Sequence, residues 1–104
     1  MQAKTEALPV EKYLGQGEYI LVVDDAEPQR EIASNILERL NYHVATVASG
    51  EAAVEYVKSK PCDLIVLDML MDPGIDGLET YKRILSIAPH QKAIIARGSP
   101  RQNR

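Results

Sequence analysis

The stretch Asp63-Leu64-Ile65-Val66-Leu67-Asp68 decides the fold. An unbroken apolar run stands between two aspartates. Such a run predicts a strand buried on both faces, as in a parallel sheet. Asp68 then sits where the strand leaves the core, and open α/β sheets hold their ligands at the carboxyl ends of strands. Tyr19-Ile20-Leu21-Val22-Val23 is a second such run, closed by Asp24 and Asp25. If the two strands are parallel neighbours, Asp24, Asp25 and Asp68 meet at one end of the sheet.

The segments around these strands read as helices and further strands. After the first strand, about Tyr19 to Asp24, Pro28 suits a first helical turn, and Glu27 and Glu31 complement the positive end of the helix dipole. Ile32, Ala33, Ile36, Leu37 and Leu40 then share one helical face, and Asn41 suits a left-handed residue past its end. His43 to Val47 is a less apolar strand, expected at the sheet edge. Ser49 caps a helix over about 50–59 that buries Ala53, Tyr56 and Val57, and Lys60-Pro61 stops it. Past the central strand, Asp72 to Gly77 is a loop. A third helix starts at Asp76 or Gly77, turns Leu78, Tyr81, Ile84, Leu85 and Ala88 inward, and ends before Pro89. Lys92 to Ala96 is a fourth strand.

The order is β-α-β-α-β-α-β, which predicts a parallel sheet with helices on both faces. Right-handed crossovers leave few topologies. A flavodoxin-like α/β/α arrangement with sheet order 2-1-3-4 sets the first and third strands side by side. Residues 1–17 read as a tail or linker, 18–96 as the domain, and 97–104 as an atypical tail without periodicity. Val10, Tyr13 and Leu14 suit a short helical turn within the first of these.

The composition limits the function classes. The chain has 104 residues, enough for one domain, and no Trp or Phe, so aliphatic side chains must build its core. A net charge of −3 argues against direct, non-specific nucleic-acid binding. The single cysteine, Cys62, has no partner for an internal disulfide, which favours a reducing compartment. No apolar run approaches the roughly 18 residues of a membrane span, and the first residues are polar, so a cytoplasmic protein without direct membrane contact is expected. His43 and His90 lie beside strand starts, away from the aspartates, and read as surface histidines.

Clustered carboxylates repel one another unless a cation sits among them. Mg²⁺ takes one or two protein carboxylates and accepts phosphate oxygens. A remaining carboxylate can act as a nucleophile toward a phosphoryl group, with charge neutralisation supplying most of the catalysis. The bland alternative is that these aspartates only form turns at strand ends. There is no Gly-rich phosphate loop, zinc-ligand spacing or Gly-x-Ser-x-Gly elbow.

Together the motifs resemble a family. Ile20-Leu-Val-Val-Asp-Asp-Ala-Glu-Pro28 resembles the opening of a response-regulator receiver domain of two-component signalling, which has the CheY-like version of this fold. Asp63 to Gly77 resembles its phosphoacceptor segment, and Ala48-Ser-Gly-Glu-Ala-Ala52 the start of its second helix. The resemblance implies a phosphoacceptor signalling domain rather than an enzyme. Asp68 would be the acceptor, and Asp24, Asp25, Asp68 and the backbone carbonyl of Leu70 would hold Mg²⁺. The phosphoryl donor would be the phosphohistidine of a sensor histidine kinase or a phosphotransfer domain. Tyr13-Leu-Gly-Gln-Gly-Glu18 resembles the segment that joins a kinase core to an attached receiver in hybrid sensor kinases.

The sequence departs from the family pattern in three ways. Asp72 is an extra residue before Pro73, so the loop beyond Asp68 is longer. Arg97 stands at the switch position where the family has Thr or Ser. The chain ends before the family's fifth strand and helix, and so before its lysine. The last two departures keep a non-switching pseudo-receiver open as an alternative. An aspartate-nucleophile phosphatase is a further alternative, opposed by Leu70 where such enzymes carry a second aspartate. With the fourth strand as an open apolar edge, a homodimer through that strand is expected.

Overall fold

The computed structural model describes residues 14–71 and 74–96. The expected turn around Val10 and Tyr13, the Asp72-Pro73 insertion, and Arg97 with its tail lie outside these residues or at their margin. Seven elements follow in order: β1 (Tyr19–Val23), α1 (Glu27–Arg39), β2 (His43–Val47), α2 (Gly50–Ser59), β3 (Leu64–Asp68), α3 (Gly77–Ile87) and β4 (Ala93–Ala96). The strands form one sheet in the order β2-β1-β3-β4. Every pairing is parallel, with Val23 opposite Leu67, and Asp68 opposite Ala96. This is the flavodoxin-like α/β/α arrangement that the alternation of strands and helices predicts.

The core lies on one face of the sheet. Leu21, Val23, Ile65 and Leu67 are buried there with Ala53 of α2 and Ile84 of α3. Strand alternation turns Ile20, Val22, Leu64, Val66 and Ile94 to the opposite face. There α1 packs on β1 and β2, and Ile20 and Val22 are buried. Toward β4 the cover thins, and Ile94 is 53% exposed.

Local chemistry sets the element ends. Ser49 accepts from the N–H of Ala52 at 3.0 Å and caps α2, and Asp76 accepts from Glu79 at 2.9 Å and caps α3. Each satisfies an otherwise orphaned helix N–H. Pro28 lies in the first turn of α1. Asn41 has φ 74°, the left-handed conformation expected past a helix end. Asp63 clamps the start of the sheet: its N–H donates to the Tyr19 carbonyl at 2.7 Å, and its Oδ2 accepts from the Tyr19 N–H at 2.8 Å. The two aspartates that bracket the central strand therefore do different work. One fixes register at the amino end, and the other projects at the carboxyl end.

Two helices depart from the simple pattern reading. In α1, Ile32 and Ile36 are 54% and 53% exposed, although they share the apolar stripe with the part-buried Ala33, Leu37 and Leu40. In α3, Leu78 is half-exposed, whereas Gly77, Thr80 and Ile84 are buried. Thr80 is tolerated inside because its hydroxyl donates to the Asp76 carbonyl at 2.7 Å.

Candidate functional site

The carboxyl ends of β1 and β3 lie side by side, and their aspartates converge. One carboxylate oxygen each from Asp24, Asp25 and Asp68 lies within 4.8 Å of the others. Asp68 is 3% exposed, whereas Asp24 and Asp25 are part-buried. The cluster is thus a crevice with its innermost carboxylate at the bottom.

Each member is held from its own loop. The Asp24 N–H donates to the Val47 carbonyl at 3.2 Å, tying the end of β1 to β2. Its Oδ1 accepts from the Ala26 N–H at 2.9 Å, a local turn that aims the chain into α1. Arg30 Nη1 donates to the Asp24 carbonyl at 2.8 Å. This arginine, one turn into α1, was not singled out by motif reading, yet it braces the backbone of the acidic loop. Asp68 Oδ1 accepts from the Leu70 N–H at 3.3 Å. The Leu70 side chain is exposed, so this residue offers the site its backbone.

The wall beyond Asp68 depends on a close approach. Gly77 donates its N–H to the Met69 carbonyl at 3.1 Å. A Cβ at Gly77 would stand 2.6 Å from the Asp68 carbonyl oxygen, so only glycine allows α3 to start there. Glu51 of α2 accepts from the Ile75 N–H at 3.1 Å, which anchors the loop between β3 and α3 to the neighbouring helix. On the other side, the Met69 N–H donates to the Ala96 carbonyl at 2.7 Å. Arg97, the sequence candidate that would follow, is outside the described residues.

The donor set is all oxygen and carries concentrated negative charge. That suits a hard divalent cation rather than a transition metal that prefers nitrogen or sulfur. Oxygens sharing a Mg²⁺ at about 2.1 Å stand at most about 4.2 Å apart. The observed spread of 4.8 Å is close to that spacing, and with an all-oxygen donor set the residues fit the ion.

Comparison with known proteins places the chain in a family. Residues 20–101 match the model of the response regulator receiver domain. The chain belongs to that family. The receiver is 33% identical over 87 residues to the chemotaxis protein CheY of Thermotoga maritima, covering 83% of this chain and 72% of CheY. It is also 40% identical over 67 residues to the 3',5'-cyclic-nucleotide phosphodiesterase regA of Dictyostelium discoideum, covering 62% of this chain but only 8% of regA. Among solved structures it resembles the Thermotoga maritima response regulator TrrA in complex with Mg²⁺-BeF. That match has a TM-score of 0.72 and 37% identity, over 75% of this chain and 67% of the other. It also resembles a chain in the complex of histidine kinase ThkA with TrrA, with TM-score 0.74 and 33% identity, over 84% and 74% of the two chains. No helix among the described residues is long and apolar enough to cross a membrane.

Proposed function

We propose that this receiver accepts a phosphoryl group on Asp68 from the phosphohistidine of a histidine kinase or phosphotransfer domain, in the cytoplasm and with Mg²⁺. In the transfer, a carboxylate oxygen of Asp68 bonds to phosphorus as the phosphorus–nitrogen bond breaks. The released imidazole nitrogen takes up a proton. The observation that carries this reading is the convergence of Asp24, Asp25 and the deeply placed Asp68 within 4.8 Å. Asp24, Asp25, Asp68 and the Leu70 carbonyl would hold the cation, which neutralises charge on the transferring group. The Leu70 N–H fixes Asp68 Oδ1, and Asp68 itself is 3% exposed. The similarity to TrrA with Mg²⁺-BeF supports this cation, and the similarity to a chain of the ThkA complex supports a kinase as partner. A second copy of this chain, docked through β4, is its other proposed partner. In this reading residues 18–96 form the working domain.

Incubation with a small acyl phosphate and Mg²⁺ should add one phosphoryl group, read by intact mass. Asp68→Asn should remove it. A chain that takes up no phosphoryl group from either the small donor or a phosphorylated kinase would be a non-switching interaction module instead. Labelling that persists in Asp68→Asn would move the acceptor to another residue.

A further inference from the structure

Glu51 stands in the first turn of α2, outside the acidic cluster. Its carboxylate grips the chain on the far side of the site. Oε2 accepts from the Ile75 N–H at 3.1 Å, across 24 positions of sequence. Oε1 lies against Gly74, where a Cβ would stand 2.8 Å from it. Gly74 has φ 112°, a conformation that favours glycine, so bare backbone faces the carboxylate. The other contacts between α2 and α3 do not need Glu51. The Ile75 and Thr80 side chains lie against Gly50, and Ala53 and Ile84 are buried in the shared core. The two helices are joined beneath the surface, and the exposed Glu51 adds a hold on the backbone ahead of α3.

That backbone leads to Asp68. Ile75 is followed by Asp76, whose side chain caps α3 and whose carbonyl accepts from the buried Thr80 hydroxyl at 2.7 Å. Gly77 comes next, and its N–H donates to the Met69 carbonyl at 3.1 Å. Met69 lies between Asp68 and Leu70. A shift at Ile75 therefore passes through two residues to a hydrogen bond on Met69, between the acceptor aspartate and the carbonyl proposed for the cation. We propose that Glu51 is a positioning residue for the Mg²⁺ site: by holding the Ile75 N–H it keeps the β3–α3 loop, and with it the Leu70 carbonyl, in the conformation that takes the cation. This role rests on the metal site proposed above.

Residues 69–76 join β3 to α3, a connection longer than the roughly two to six residues usual between a strand and a helix. Ordering such a loop at the moment of binding costs conformational entropy. The apparent Kd rises as the fraction of chains in the competent conformation falls. Glu51 lowers that cost beforehand. Its negative charge offers a second explanation, since a carboxylate suits the amino end of α2 and attracts a cation at a distance. Side-chain chemistry separates the two. Gln keeps an acceptor oxygen at the same reach without the charge. Asp keeps the charge but is one methylene shorter, so it falls short of Ile75.

The test is a Mg²⁺ titration of the full chain, followed by the amide shifts of Asp24, Asp25 and Asp68 with no phosphoryl donor present. Glu51→Ala and Glu51→Asp should each raise the Mg²⁺ Kd about fivefold, the net worth of one hydrogen bond, and Glu51→Gln should stay within about twofold of the wild type. Hydrogen exchange at the Ile75 and Gly77 amides should quicken in the Ala and Asp variants, while the amides of β3 keep their protection. With a small acyl phosphate, those two variants should be slow at limiting Mg²⁺ and regain the wild-type rate at saturating Mg²⁺. A Glu51→Ala chain with wild-type Mg²⁺ affinity overturns the proposal. So does a Glu51→Gln chain as impaired as Glu51→Ala, which would assign the effect to charge. A wild-type chain that takes up no Mg²⁺ would overturn the metal site itself, and the role of Glu51 with it.

Discussion

At the scale of single residues, position on the strand decides what identical side chains do. Asp63 and Asp68 bracket one apolar run, yet Asp63 clamps Tyr19 while Asp68 lies at the bottom of the acidic crevice. Cys62, next to the clamp, is part-buried, and both burial and the neighbouring Asp63 carboxylate push its thiol above the usual range. Alkylation proceeds through the thiolate. At mildly alkaline pH, iodoacetamide should therefore label the folded chain several-fold more slowly than the chain in denaturant. The linkage has a definite sign. With the folded pKa raised, the native state holds a proton that the unfolded chain releases, so stability falls as pH climbs past the unfolded thiol value of about 8.5. Cys62→Ser should flatten that alkaline decline. Equal labelling rates in both states would show that the thiol is not shielded.

At the scale of elements, the period of the sequence locates each helix but does not say how much of it is covered. Ser49, Asp76, Asn41 and the strand runs were legible because caps, turns and apolar runs are local chemistry. The exposure of Ile32 and Ile36 was not legible. Periodicity tells which residues share a face, whereas cover depends on how far α1 lies over its half of the sheet. Thr80 escaped pattern reading for a related reason, since a hydroxyl that bonds back to the preceding turn passes as apolar inside a core. Arg30, which braces the site, carries no motif, and Gly77, which shapes it, was legible only as the end of the phosphoacceptor-like segment. Their roles come from contacts between elements. The contrast has a measurable consequence. Ile84 is fully buried between α3 and the sheet, so Ile84→Ala should cost about 2–5 kcal/mol in denaturant unfolding. Ile36→Ala on the open face should cost under about 1 kcal/mol. A comparable loss at both positions would mean that the α1 face is covered in solution.

At the scale of the whole molecule, the acidic cluster sets function against stability. Folding gathers Asp24, Asp25 and Asp68 within 4.8 Å, whereas the unfolded chain holds Asp68 far from the other two. Their mutual repulsion opposes the native state until a cation neutralises it. A ligand that binds only the folded chain stabilises it by RT ln(1 + [L]/Kd), about 2.7 kcal/mol at a hundredfold excess over Kd. For a domain of 60–100 residues, each kcal/mol moves Tm by about 4–8 °C. At fixed protein concentration, Mg²⁺ should therefore raise Tm by several degrees, and NaCl of equal ionic strength should not reproduce the rise. Asp25→Asn should act in two opposite directions. It should raise Tm without metal, because one repulsive charge is gone, and it should remove most of the Mg²⁺ response, because one ligand is gone. The pairing of these signs separates a metal site from general screening. A variant that loses stability without metal and still responds fully to Mg²⁺ would show that Asp25 holds the loop rather than the ion.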